Sequence, residues 1–189
     1  MNSELAKLDS ALISLGFVHK QYNIMSKNRT GNPLVTDSRC EAYDYDEITK
    51  SIYQVNPHSV DAILLKDDMF FIEFKRVVNR TNPLEQKNIK QDLQLKLSES
   101  LILFYKYFVK KYRINLKKFK KIAIIVVDSV QSPISATSGV LARLSGGGVW
   151  LSSSNLIYHI APTKNGEHLF FDDLLMWNDL NFSIQISQL

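Results

Sequence analysis

The 189-residue chain has one cysteine, Cys40, so no internal disulfide can form, and a reducing, cytoplasmic setting is expected. Long apolar runs are missing as well. The longest, Ile122–Val127, has six residues, against the roughly 20 that cross a bilayer. Glu4 and Asp9 interrupt the apolar residues of the N-terminal stretch, so neither a signal peptide nor a membrane partner is expected. His58, His159 and His168 are too scattered for a zinc motif, and no Ser-His-Asp spacing stands out. Gly146-Gly147-Gly148 is not followed by the Lys-Ser/Thr pair of a phosphate-cradling loop. No internal repeat or low-complexity segment is present.

What is present is an ordinary globular composition, 45% hydrophobic and 22% charged, in a length that fits one domain. The most informative stretch is Asn56–Lys75. Two apolar runs, Val60–Leu65 and Met69–Lys75, flank Lys66-Asp67-Asp68, the pattern of a β-hairpin with a short loop. Placing Leu65 opposite Met69 fixes a register in which Asp61 faces Glu73. Opposed residues on antiparallel strands have Cβ atoms roughly 4.5–5.5 Å apart, close enough for two carboxylates to share a divalent cation. Lys75 returns to the face of Glu73 because side chains alternate along a strand. Both hairpin faces are otherwise apolar, with Ile63, Leu65, Met69 and Phe71 on one and Ala62, Leu64, Phe70, Ile72 and Phe74 on the other. That pattern predicts strands covered on both sides in the interior of a sheet. Carboxylates in such a place need a metal, a cationic partner or a proton. An ion pair of Lys75 with Glu73 or Asp61 would satisfy them without any metal.

An Asp at the start of one hairpin strand, Glu73-Phe74-Lys75 on the next and a long helix thereafter resemble the PD-(D/E)xK nuclease superfamily. The spacing Asp61–x₁₁–Glu73-Phe74-Lys75 carries the likeness, which covers about residues 40–130. Pro57 stands four residues before Asp61, so the Pro-Asp dipeptide of the family name is broken. The resemblance implies that Asp61, Glu73 and the main-chain carbonyl of Phe74 bind Mg²⁺ or Mn²⁺, and that Lys75 orients or activates the attacking water. It also implies an acid from the helix before the hairpin, for which Glu41 is the candidate, and a polar residue on the helix after it, for which Lys96 is the candidate. The Gln-x-x-x-Tyr signature of the RecB-like branch is absent, because Leu95 and Ser98 stand four residues after Gln91 and Gln94.

Elsewhere the periodicity predicts a helix begun by Ser3, with Leu5, Leu8, Leu12 and Leu15 on one face and Gly16 as its stop. Phe17–Met25 reads as a strand or an extended connector, Ser26–Arg39 as a loop and Cys40–Val55 as a second helix. After a polar link, Pro83 starts a long helix to about Tyr112, its buried stripe being Ile89, Leu93, Leu97, Leu101, Phe104 and Phe108. Ile122–Val127 is a β-branched crossover strand of the sheet interior. Beyond it we expect a helix over 132–144, a hairpin about Asn165-Gly166, a short helix over Asp172–Trp177 and a last strand over Phe182–Ile186.

The net charge of +4 is a mild excess, but its distribution is uneven. Eight basic residues (Lys106, Lys110, Lys111, Arg113, Lys117, Lys118, Lys120 and Lys121) occur without an acid, a run that suits phosphates or simply a solvated helix end. The expectation is a single α/β domain. Its form is a restriction-endonuclease-like sandwich with a central mixed sheet flanked by helices, the core at about 40–130 and an elaboration at about 131–189. The expected function is metal-dependent endonuclease hydrolysis of phosphodiesters, with DNA as the partner. The alternative is a catalytically inactive module of the same shape that binds nucleic acid or a protein, as an immunity or regulatory partner would. Whether a second copy or another protein joins it is left open.

Overall fold

The computed structural model describes residues 2–27, 30–36, 38–55, 57–76, 83–127 and 171–189. The polar link over 77–82, the expected helix over 132–144 and the hairpin about Asn165-Gly166 lie outside them. Helix α1 (Ser3–Ser14) starts one residue earlier than the sequence suggests: Asn2 is the cap, its side chain accepting from the Glu4 N–H. Leu5, Leu8 and Leu12 are buried, and Gly16, at φ 86°, takes the left-handed conformation that ends the helix. Strand β1 (His19–Gln21) and a one-turn helix α2 (Tyr22–Met25) follow.

The segment expected as one helix from Cys40 to Val55 divides. Glu41–Asp44 is strand β2, and the helix, α3, covers Tyr45–Tyr53. The division falls at Asp44, whose carboxylate accepts from the Glu47 N–H and so caps α3 at a point the longer helix would have passed through. Strands β3 (Ala62–Leu65) and β4 (Met69–Lys75) form the expected hairpin in the expected register, Leu65 opposite Met69 and Ala62 opposite Ile72. Helix α4 (Pro83–Phe104) continues through a π-helical turn (Tyr105–Val109) and α5 (Lys110–Tyr112). All six residues of its predicted stripe are buried. A 3-10 turn at Leu116–Lys118 then leads into β5 (Lys121–Val127).

The chain ends in strand β6 (Asp173–Asn178) and helix α6 (Asp179–Ser187), which reverses the expected order of helix then strand. Asn178 explains the reversal. It is the last residue of β6 and caps α6 by accepting from the Asn181 N–H. Phe182, Ile184 and Ile186 alternate as a strand would, but the fold buries Phe182 and Ile186, one helical turn apart, and leaves Ile184 60% exposed.

The described strands form one mixed sheet in chain order, β1 through β6, antiparallel as far as β4 and parallel from β4 to β6. Helices cover both faces. Ile63, Phe71 and Ile125 pack with α1, α3 and α4 on one side, and Ala62, Phe70, Ile72 and Ile124 with α2 and α6 on the other. No described helix is long and apolar enough to cross a membrane.

The C-terminal helix gives a direct test. Phe182 lies fully buried among Tyr22, Phe74 and Trp177. Phe182→Ala should cost about 3–5 kcal/mol in urea unfolding, and Ile184→Ala should stay within about 0.5 kcal/mol of wild type. Equal costs would mean the alternating strand pattern, not the helix, is what the protein uses.

Candidate active site

The site forms where the hairpin opens. Backbone N–H and C=O groups of one strand residue point to the same neighbour, and the side alternates along the strand. Ile72 thus serves β3, and Phe74 would be next to do so, opposite Val60. The ladder stops short of that pair. The Phe74 N–H donates to Asp61 Oδ2 at 2.7 Å, and the Val60 N–H donates to Ser100 Oγ at 2.8 Å on α4. Both donors stay satisfied, so the hairpin opens here without leaving buried amides unpaired.

Alternation places Asp61, Glu73 and Lys75 on the α4 face of the sheet, as the register requires. Helix α4 meets them with a polar row one step from its apolar stripe: Asp92, Lys96 and Ser100 beside Leu93, Leu97 and Leu101. Lys96 Nζ donates to both Glu73 oxygens, at 2.8 and 3.0 Å, and lies 3.9 Å from Asp61 Oδ1. Lys75 pairs with Asp92 instead of the two hairpin acids. The alternative in which Lys75 itself pairs with Glu73 or Asp61 is therefore not the one found: Lys96 of α4 supplies that cation.

Glu73 is 1% exposed as a side chain, Asp61 20% and Lys96 22%. Burial pushes the Asp61 carboxyl up to about 6, against the pull of the Lys96 ammonium and the Phe74 N–H. Burial first, and the Asp61 charge second, hold Glu73 well above the usual carboxylate range. Burial also opposes the charge on Lys96, but Glu73 and Asp61 outweigh it and keep the ammonium firmly protonated. The arrangement is two acids competing for one charge next to a lysine cation, as catalytic sites often have.

Glu41 does not join them. It is exposed, opposite Gln21 at the start of β2, with Asp44 at the strand's other end pairing with Ala62 beside Asp61. Three residues of strand, about 10 Å, separate it from that end. With its supposed helix replaced by a strand, the geometry that singled out Glu41 is gone. Asp46, on the first turn of α3, takes the nearer position. Its charge raises the Asp61 pKa, and Ser59 Oγ donates to its Oδ1. Asp44, Asp46, Glu47, Lys50 and Asp61 line an open cleft of about 560 Å³. Among the described residues, no group of three or more His, Cys, Asp or Glu side chains is gathered as a metal cage.

The basic run lies toward the opposite end of the sheet. Lys121 pairs with Met69 at the start of β4, whereas Glu73 and Lys75 are near its end. Four strand residues separate Met69 from Glu73, about 13 Å. Lys106, Lys110, Lys111, Arg113, Lys117, Lys118 and Lys120 are exposed, and Lys121 pairs with Asp172. Lys106 also sits over the Tyr53 ring and Lys111 over that of Tyr107.

The buried acid sets a pH dependence. The folded protein holds the Asp61 proton more tightly than the unfolded chain, whose carboxyl has the ordinary value of 3.8. The stability from this group is therefore complete below that value and lost as pH rises through about 6. Asp61→Asn stays uncharged and keeps an oxygen for the Phe74 N–H. Without divalent metal it should exceed wild type by about 1–3 kcal/mol near pH 7 in urea unfolding, with the gap closing near pH 4. A gap of equal size at both pH values would show that Asp61 ionises as easily in the fold as out of it. No known protein family, curated protein or solved structure matches the chain at a significant level, so the site stands on this geometry.

Proposed function

We propose that the protein is a metal-dependent nuclease of the PD-(D/E)xK kind, with a restriction-endonuclease-like core, acting on phosphodiesters in DNA. The observation that carries the reading is the opened end of the hairpin, where a buried carboxylate, a partly buried one and a main-chain carbonyl converge. The Phe74 N–H reaches Asp61, and its carbonyl points to the same edge of the strand. The Val60 N–H that would have taken this carbonyl is bonded to Ser100. Asp61, Glu73 and the Phe74 carbonyl thus make a set of hard oxygen donors, of the type that binds Mg²⁺ or Mn²⁺ with waters completing the shell. Their chemistry fits a divalent ion even though, among the described residues, no third acid closes a cage.

When bound, such an ion would polarise a phosphoryl oxygen and acidify a water. The rest falls to the chain's own residues. Asp61 and Glu73 hold the charge that fixes the ion. Lys75, one pleat beyond Glu73 and paired with Asp92 in the resting site, can orient the attacking water through its ammonium without acting as a ligand. Lys96 adds a second positive charge to the same cluster, which offsets the negative charge that a phosphate brings. The basic run, about 13 Å or more along the sheet, is within the width of a duplex and suits backbone phosphates outside the scissile one.

One observation favours the rival, a catalytically inactive binding module. Lys96 already holds both Glu73 oxygens, so the fully buried acid has its countercharge without metal. The two readings separate in solution. Titration calorimetry should show Mn²⁺ binding to wild type and a loss of about tenfold or more in Asp61→Asn, and equal affinity would remove the metal site. Lys75→Ala should keep the fold and metal binding and lose plasmid nicking, whereas nicking at the wild-type rate would remove Lys75 from the chemistry.

Phosphate contact by the basic run is checked separately. Reversing Lys110, Lys117 and Lys120 to Glu should weaken DNA binding and reduce the slope of log K against log salt by about 2–3, with Mn²⁺ affinity unchanged. An unaltered slope would make the run a solvated surface.

A further inference from the structure

We propose that Lys96 is a built-in counter-cation that gates divalent metal at this site. Its ammonium and the metal ion compete for the same Glu73 oxygens, and metal binding moves the Lys96 side chain back one helical turn toward Asp92. The inference rests on the metal-site reading above and adds a regulatory step to it.

Three observations lead here. Lys96 Nζ is bonded to both oxygens of Glu73 and stands 3.9 Å from Asp61 Oδ1, which is the space between the two carboxylates. Glu73 is almost fully enclosed, so it cannot serve a second cation from another direction. Lys96, by contrast, is about one-fifth open to solvent and carries a flexible four-carbon stem, so it has a way out. Beyond the two hairpin acids an acceptor is at hand in Asp92, one turn back on the same helix face and close enough to act on its charge. Asp92 already holds Lys75. Arrival of Lys96 there would loosen that pair and release Lys75 toward substrate, so metal binding and readiness of Lys75 would be linked. A lysine that serves only as a fixed structural counter-ion predicts the opposite, that its loss harms the site under all conditions.

The test compares wild type, Lys96→Gln and Lys96→Arg by Mn²⁺ titration calorimetry and by thermal melting with and without Mn²⁺. Lys96→Gln should bind Mn²⁺ about tenfold or more tightly than wild type, since an opposing charge has gone, and Lys96→Arg, which keeps the charge, should not. If Lys96→Gln is unfolded without metal, Mn²⁺ should refold it and raise its melting point further than that of wild type. A wild type that binds Mn²⁺ and a Lys96→Gln that binds it equally or more weakly would overturn the gate and leave the nuclease reading standing. Absence of binding in both, with no rise in melting, would overturn the two together. Tighter binding in Lys96→Gln without phosphodiester cleavage by any of the three would support the gate and remove the nuclease.

Discussion

A carboxylate enclosed as fully as Glu73 needs a proton or a cation, and much of the surrounding structure follows from that requirement. The cation comes from α4, which must therefore lie along β4 with Lys96 over Glu73. With that phase set, Asp92 meets Lys75 and Ser100 meets the Val60 N–H. Ser100 also accepts from the Tyr45 hydroxyl through its carbonyl, at 2.8 Å, and Glu99 accepts from the His58 N–H. The polar row of α4 thus fastens the chain before β3 and the end of β4, while the apolar stripe beside it fills the core. One helix positions the site and holds the sheet, so changes to its polar row act on both.

The parts of this arrangement fixed by short-range rules were legible in the sequence. Strand alternation and a three-residue loop were enough to put Asp61 and Glu73 opposite each other on one face, because loop length fixes the register of a hairpin. The stripe from Ile89 to Phe108 and the strand Ile122–Val127 were equally clear, each being longer than chance patterning sustains. The partners of Lys75 and Lys96 were not legible. They depend on the rotation and height at which α4 packs against the sheet, and several polar rows of a long helix are compatible with one apolar stripe.

The misread segments share a different cause. Residues 40–55 and 172–186 each join a strand to a helix at a capping residue, Asp44 in one and Asn178 in the other. Asp44 with Glu47 three positions on has the spacing of a capping box, and Asn178 precedes an acid in the first turn of α6. Both signals were readable. They were outweighed by apolar periodicity, which is ambiguous over segments this short: Phe182, Ile184 and Ile186 satisfy a strand as well as two of them satisfy a helix. The consequence for the site was the choice of Glu41. Moving the helix start to Tyr45 removes Glu41 and brings Asp46 to the cleft beside Asp61.

Charge balance connects the fold to the proposed chemistry. Asp61, Glu73 and Asp92 bring three acids to the α4 face, against Lys75 and Lys96. The cluster carries one negative charge in excess, and a proton retained by the Asp61–Glu73 pair removes it, which is why burial can raise both carboxyls without breaking the fold. A divalent ion that displaces this proton would leave the cluster with one net positive charge. That is the charge that a single phosphodiester matches. The same five side chains therefore suit a resting state that is neutral and folded and a loaded state that attracts substrate, the difference between them being which cation Glu73 holds.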